Sequence, residues 1–243
     1  MFQPSTASKM YKKGIYTIKQ NHPLTSDVWR MVLAGDTQWI TRPGQFVNIE
    51  LEGLYLRRPI SINDWDEETI TIIYKVVGRG TEQMSRMQAG EQLDVLTGLG
   101  NGFDADVECQ KPLLVGGGVG SAPLYYLAEQ LRKNGNDFVI LIGARAAKDL
   151  YRSDAYEALG RVEYTTEDGS LGEKGYVTNH SVLAEKFDGI FTCGPKPMML
   201  AVAKYARENG IACEVSLENK MACGLGACLC CVEDTKEGHR CVC

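Results

Sequence analysis

Through its first hundred residues the chain alternates apolar and polar positions with a period of two, in the runs GIYTIKQ (14–20), DVWRMVL (27–33), QFVNIEL (45–51), TITIIYKVV (69–77) and EQLDVL (91–96). Successive side chains of an extended strand point to opposite faces, so each run describes a strand with one buried and one wet face. Turn residues separate the runs, among them Pro43-Gly44 and Gly78-Arg79-Gly80. Roughly six short strands with few helices predict a small antiparallel barrel. One short helix is expected over Thr81–Met87.

The pattern changes after Lys111. PLLVG (112–116) is a short buried strand, followed by a Gly-rich turn and a helix across Leu124–Lys133. Strands FVILIG (138–143), RVEYTT (161–166) and GIFTCG (189–194), a helix over Pro197–Glu208 and strand CEVSL (213–217) complete the series. Strands alternating with helices predict a parallel sheet with crossovers. A polar stretch, DADVECQK (104–111), marks the boundary. The fold class is thus multi-domain: a barrel domain over 1–107, an α/β domain over 108–217, and a Gly- and Cys-rich segment over 218–243. That last segment has too few apolar residues for a core and is expected to need a metal for order.

Composition narrows the function. Of 243 residues, 44% are apolar and 23% charged, as in an ordinary globular protein, and the net charge is −5. With no Lys/Arg stripe to neutralise phosphates, nucleic-acid binding is disfavoured. MFQPSTASKMYKKG at the N-terminus has no apolar signal core, and no run approaches the ~20 apolar residues of a membrane span, so a cytoplasmic location is expected. Six of the nine cysteines lie after position 222, a density that points to metal ligation rather than to disulfides spread over the fold.

Cys223, Cys228 and Cys231 stand in C-x4-C-x2-C spacing, that of plant-type 2Fe-2S ferredoxins, which take a fourth cysteine further on. Here the fourth is Cys241 or Cys243. Gly224 and Gly226 permit the tight wrapping that brings backbone N–H groups to a cluster. A structural zinc site is the competing reading, although such sites pair one C-x2-C with a second. Cys230 is left over and is expected to pack as a small apolar residue.

GGGVGSAPL (116–124), between strand and helix, offers backbone N–H groups to a pyrophosphate, although Ser121 stands where G-x-G-x-x-G has its third glycine. Arg57-Arg58-Pro59-Ile60-Ser61, read as the end of a barrel strand, can grip a phosphate and the edge of a flavin; an exposed basic pair is the plainer alternative. Gly80 and Thr81 open the short helix and could receive a second phosphate oxygen. In TCGPKPM (192–198), Gly194 leaves room for a flat ring and Cys193 offers a soft contact, the nearest approach to a catalytic side chain. His22, His180 and His239 have no evident catalytic partners. Hydride and electron transfer require no acid–base centre on the protein.

In this order the motifs resemble the ferredoxin reductase family of flavoproteins. The resemblance implies FAD at Arg58, Pro59, Ile60, Ser61, Ile73, Tyr74, Lys75, Gly80 and Thr81, and NAD at Gly117, Gly118, Gly120, Cys193, Gly194 and Pro195. RRPIS, YKVVGRGT, TEDGS, CGPKPMM and ENKMACGLGACLCC together resemble, more narrowly, the electron-transfer subunits of NAD-linked dihydroorotate dehydrogenases, over residues 11–243. That family implies an oxidoreductase subunit of pyrimidine biosynthesis carrying FAD and one 2Fe-2S cluster. Its partner is an FMN-containing catalytic subunit that oxidises dihydroorotate to orotate, in a heterotetramer with two of each chain. Electrons would run from FMN through the cluster and FAD to NAD. Aligning the family's Val-Cys pair onto Val242-Cys243 makes Cys243 the fourth ligand beside Cys223, Cys228 and Cys231.

The family usually continues past this cysteine, whereas the sequence ends at Cys243; a terminal carboxylate there would disfavour reduction of the cluster, and a chain cut short is the alternative. For NAD against NADP, Glu167 and Asp168 would repel a 2′-phosphate, while Arg145 could favour it. Two other functions stay in view: the small subunit of an NAD(P)H:ferredoxin oxidoreductase, and a zinc-stabilised nucleotide-binding regulator. In the preferred reading the Cys-rich segment forms part of the partner interface.

Overall fold

A computed structural model describes residues 11–217, 219–236 and 238–243. The start of the expected first domain (1–10), Glu218 at the start of the third, and Glu237 lie outside the described residues.

Six antiparallel strands, β1 (Lys12–Pro23), β2 (Val28–Ala34), β3 (Phe46–Ile49), β4 (Arg58–Trp65), β5 (Thr69–Lys75) and β6 (Gln92–Leu99), close a barrel in the order β1-β2-β5-β4-β3-β6. The inward set of the period-two pattern, including Tyr16, Ile18, Met31, Leu33, Ile70, Ile72 and Tyr74, fills its interior. On β5 the outward Ile73 is buried as well, because it packs with Val28, Ala122 and Tyr151 where the second half of the chain covers the barrel.

Two sequence expectations change. Arg58-Pro59-Ile60-Ser61 opens strand β4 rather than ending one. The short helix, α1 (Arg79–Arg86), starts two residues before Thr81, because extended Gly78 is its N-cap and Thr81 is its third residue. The Thr81 hydroxyl accepts the N–H groups of Val77 at 2.9 Å and Gly78 at 3.3 Å, and so caps its own helix.

The second half is a six-stranded parallel sheet. It is built from β7 (Pro112–Gly117), β8 (Val139–Ala144), β9 (Arg161–Thr166), β10 (Glu173–Lys174), β11 (Gly189–Cys193) and β12 (Ala212–Ser216), in the order β10-β9-β8-β7-β11-β12. Helices α2 (Leu124–Lys133), α3 (Ser153–Glu157) and α4 (Lys196–Glu208) form three of the crossovers, while short 3-10 turns carry the chain from β10 to β11. The chain runs outward from β7 to β10, then returns to β7's other side at β11. This makes a topological switch between β7 and β11, where open α/β sheets bind ligands at the carboxyl ends of the strands.

The Cys-rich segment ends in a hairpin, β13 (Val232–Thr235) and β14 (Gly238–Cys241). It does possess a small core, borrowed from the barrel: Cys231, Cys243, Met221, Leu225 and Val242 pack on Phe46, Leu96 and Leu99. Among the described residues, no helix is long and apolar enough to cross a membrane.

Candidate functional site

A cleft of about 700 Å³ runs between barrel, sheet and Cys-rich segment, within the range of cofactor sites. Its barrel wall holds Arg58, Pro59, Ile60 and Ser61 of β4, Ile73, Tyr74 and Lys75 of β5, and Thr81 of α1. Gly80 lies directly behind: a Cβ there would stand 2.1 Å from Nε of Arg58, so only glycine lets that guanidinium lie across the start of α1. Arg58 Nη1 donates to the carbonyls of Leu56 and Arg57, which orients the guanidinium at the cleft. Lys75 is paired with Asp27 at 2.9 Å, and this pairing holds the Asp27 carboxyl below its usual range. The Tyr74 ring belongs to the barrel core, where its Oη donates to Asn21 at 3.0 Å and burial pushes its ionisation up. Arg57, by contrast, points away into an ion pair with Asp94 at 2.7 Å and serves the barrel.

On the sheet side the Gly116–Gly120 and Cys193–Pro195 loops meet backbone against backbone. A Cβ on Gly120 would lie 2.5 Å from Cα of Gly194, and one on Gly117 would lie 2.8 Å from Pro195 and 2.5 Å from Met198. Gly118, in left-handed conformation (φ 53°), faces open space and leaves its backbone reachable. A 3-10 turn, Gly118–Ser121, separates the loop from α2, so the N–H groups on offer come from a turn as well as from a helix end. Cys193 is buried at the end of β11. The acidic turn after β9 is tied to the end of β8: the Glu167 and Asp168 N–H groups donate to the Ala144 and Arg145 carbonyls at 3.1 and 3.2 Å. Glu167, Asp168 and exposed Arg145 are therefore neighbours at one edge.

The third wall is the Cys-rich segment, which contributes Met221, Glu233, Arg240, Cys241 and Val242. Its sulfurs lie in two pairs. Cys231 and Cys243 Sγ atoms are 3.0 Å apart, and Cys223 hydrogen-bonds Cys228. Burial pushes the Cys223 thiol up, but the N–H groups of Leu225, Cys228 and Ala227 and the Cys228 thiol outweigh it and bring it down to about 6. Burial and the neighbouring Cys231 push Cys243 up to about 11, while the Gly226 N–H reaches its sulfur at 3.0 Å. Gly224 and Gly226 take the left-handed conformation that the wrapping requires (φ 72° and 78°). Among the described residues, no three His, Cys, Asp or Glu side chains converge on one point. Two thiol pairs suit a binuclear cluster, with two ligands for each iron, and the backbone N–H groups suit thiolate and sulfide acceptors. Cys241 faces the cleft, its Sγ 3.7 Å from the Gly226 carbonyl. Cys230 is exposed, contrary to the packing role expected of it, because it follows the left-handed Leu229 on the outer side of the loop.

Comparison with known proteins decides the family. Residues 114–204 match the oxidoreductase NAD-binding domain. The electron transfer subunit of dihydroorotate dehydrogenase B (NAD+) from Caldanaerobacter subterraneus is 40% identical over 90% of this chain and 87% of the relative. Its counterpart from Fusobacterium nucleatum is 40% identical over 89% and 87%. The chain belongs to this family.

Among solved structures, an NADH-dependent reduced ferredoxin–NADP oxidoreductase, studied for flavin-based electron bifurcation, is 31% identical with a TM-score of 0.85, over 93% of this chain and 84% of that one. An Amycolatopsis cytochrome P450 reductase, 20% identical with a TM-score of 0.74 over 84% of this chain and 70% of that one, shares the fold. This chain thus has the ferredoxin-reductase-like barrel and sheet, with its Cys-rich segment at the cleft. Sequence reading missed two parts of this site. Gly100-Asn101-Gly102-Phe103 lines the cleft, and its only sequence signal is a pair of glycines after a strand. Asn48 of β3, buried beneath the cysteine loop, donates to the Cys223 carbonyl at 3.4 Å; in sequence it is one polar residue in an alternating strand.

Proposed function

We propose that the chain is the electron-transfer subunit of an NAD-linked dihydroorotate dehydrogenase in de novo pyrimidine biosynthesis, working in the cytoplasm. In this reading residues 1–107 hold FAD, 108–217 hold NAD and 218–243 hold a 2Fe-2S cluster. The observation that carries it is the single cleft whose walls are the Arg58–Ser61 strand, the Gly120 turn and the Cys241-Val242 edge of the cysteine segment. When bound, the cluster exchanges single electrons, the flavin joins one- and two-electron chemistry, and the nicotinamide takes a hydride.

The protein's part is placement. Arg58 and the start of α1 present donors for the flavin's phosphate, with Gly80 giving the space. Pro59, Ile60, Ser61, Ile73, Tyr74, Lys75 and Thr81 shape the flavin wall. Gly117, Gly118 and Gly120 admit the nucleotide pyrophosphate, and Cys193, Gly194 and Pro195 the nicotinamide. Cys223, Cys228, Cys231 and Cys243 would hold the cluster as thiolates, with Cys241 as the spare. The partner is an FMN-containing subunit that oxidises dihydroorotate, two copies of each chain forming the complex. Exposed Cys228 and Leu229 lie on the outer face of the cysteine loop and suit an approach by that partner.

The test is reconstitution. Mixed with an FMN-type dihydroorotate dehydrogenase subunit, the purified chain should couple dihydroorotate oxidation to NADH formation. A colourless, zinc-containing protein would refute the redox reading altogether. The second reading, a ferredoxin-linked NAD(P)H oxidoreductase subunit, is favoured by the likeness to the bifurcating enzyme. Electron exchange with ferredoxin and none with dihydroorotate would select it.

A further inference from the structure

At the seam between barrel and sheet lies a polar group that the proposed cofactor contacts do not use. Beyond the cleft, β4 continues into Asn63, which is wholly buried. Its Nδ2 donates to the Ala122 carbonyl at 2.8 Å, and its Oδ1 accepts from Arg152 Nη1 at 2.6 Å. Ala122 closes the turn that follows the nucleotide loop, and Arg152 is the N-cap of α3. Both ends of one barrel amide are therefore spent on two separate segments of the other half.

Arg152 itself is held in the left-handed conformation, with φ 51° and ψ 33°, which side chains with a Cβ rarely adopt. Such backbone persists only where its surroundings over-determine it. The surroundings here are specific. The guanidinium lies 4.3 Å over the Tyr125 ring, and adjacent Tyr151 reaches Ser121 Oγ at 2.7 Å and the Val119 carbonyl at 3.2 Å. Tyr156 donates to the Ser121 carbonyl at 3.0 Å. Residues 151–156 thus brace the 119–122 turn from behind, while Asn63 grips both from the barrel. Trp65 stacked on Tyr126 at 3.7 Å extends the same seam.

We propose that Asn63 and Arg152 form a latch that fixes the nucleotide loop against the flavin strand and so sets the distance for hydride transfer. Both are positioning residues, and the inference rests on the flavin and nicotinamide assignments above. The step it governs, written in the direction of the assay and opposite to the proposed physiological flow, is NADH + FAD + H+ giving NAD+ and FADH2. The hydride carries two electrons and one proton from the nicotinamide, and the second proton comes from solvent.

The experiment is anaerobic stopped-flow reduction of bound FAD by NADH, in the full chain and in Asn63→Leu, Arg152→Gly and the double variant. Glycine takes a φ of 51° without strain, so Arg152→Gly removes the latch while sparing the backbone. Each single variant should lower the rate at saturating NADH by at least about tenfold with little change in the NADH dissociation constant. The double variant should be no slower than the slower single. Saturating rates within about twofold of the parent, an effect confined to NADH binding, or losses that multiply in the double variant would each overturn the latch. If Asn63→Leu fails to fold, Asn63→Asp takes its place: it keeps the acceptor for Arg152 and loses the donor to Ala122. A parent chain whose flavin NADH does not reduce would sink the functional reading instead.

Discussion

Gly120→Ala tests whether the two glycine loops form the nucleotide mouth. A Cβ at this position would stand 2.5 Å from Cα and 2.7 Å from N of Gly194, and 2.8 Å from the Cys193 carbonyl oxygen. Carbon atoms pack comfortably at about 3.5–4.0 Å, so the loops would have to part by about 1 Å. All three obstructing atoms are backbone, and none can swing aside as a side chain would. Overpacking of this kind costs about 1–3 kcal/mol of stability. The displacement falls at the carboxyl ends of β7 and β11, where about 1 Å of misplacement can cost about a hundredfold in rate. FAD content should be retained, because the flavin segments lie on β4, β5 and α1. Reduction of FAD by NADH, followed anaerobically by flavin absorbance, should slow by one to two orders of magnitude. The control is Gly135→Ala, just after α2 and outside these loops, whose Cβ would meet nothing within 4 Å but whose φ of 80° is left-handed. It should cost about 1–2 kcal/mol through backbone strain with a much smaller loss of rate. A Gly120→Ala protein that is destabilised yet reduces its flavin at the parent rate would show that these loops do not seat the nicotinamide nucleotide.

The fourth cysteine can be settled by comparing two variants: Cys243→Ser should lose the cluster's paramagnetic signal and iron, and Cys241→Ser should keep both. Cys228→Ser should retain FAD and its reduction by NADH while stopping electron flow from the partner subunit; loss of flavin reduction too would contradict that division of labour. Asp188 accepts the N–H groups of Gln110 and Lys111 at 2.7 and 2.9 Å and the Cys109 thiol at 2.7 Å, tying the domain connection to β11. Burial raises its carboxyl, but these donors outweigh it and leave it below the usual range, so its contribution to stability is present above about pH 4 and fades as pH falls through the lowered value. Asp188→Asn should therefore cost about 1 kcal/mol in urea unfolding at pH 7, after allowance for its exposure, and less in strong acid.

Local pattern made most of the scaffold legible. The alternating runs of the first hundred residues became barrel strands, and the helix expected over Leu124–Lys133 has those bounds. Rules about chain punctuation were weaker where backbone and side chain compete. Thr81 looked like a helix start because of its hydroxyl, yet that hydroxyl caps from inside the first turn, so the helix begins at Arg79. Arg57–Ser61 reads in sequence as the end of a strand, whereas Arg58 opens β4 and Arg57 just before it pairs with Asp94. Two-residue β10 carries too little pattern to be seen in sequence. The cysteine spacing pointed to a cluster but could not choose between Cys241 and Cys243. That distinction depends on how the hairpin closes, which sets Cys243 against Cys231 and turns Cys241 toward the cleft. Asn63, Arg152 and Asn48 were illegible for a common reason: each acts on a residue far away in sequence, through a partner that no local pattern specifies.

Asn48 shows why the cysteine segment sits where it does. On β3 it stands in register opposite Pro59, the centre of the Arg58–Ser61 wall, and its Nδ2 reaches the carbonyl of Cys223. A Cβ on Gly224 would come within 2.9 Å of the same Nδ2 and within 3.7 Å of Leu99, so the loop is seated directly on the barrel end. The Arg58–Ser61 wall and the seat of Cys223 are thus joined through one hydrogen-bonded strand pair. Close-packed strands have little freedom to move apart, so the separation between that wall and the cysteine loop is set by the barrel itself. The nucleotide sheet meets the same barrel through a separate seam at Asn63. In the proposed reading the barrel is therefore the common reference for both transfers: one electron at a time on the cysteine side and hydride on the sheet side. The buried Oδ1 of Asn48, without a hydrogen-bond partner among the described residues, is the polar cost at the first of these two junctions.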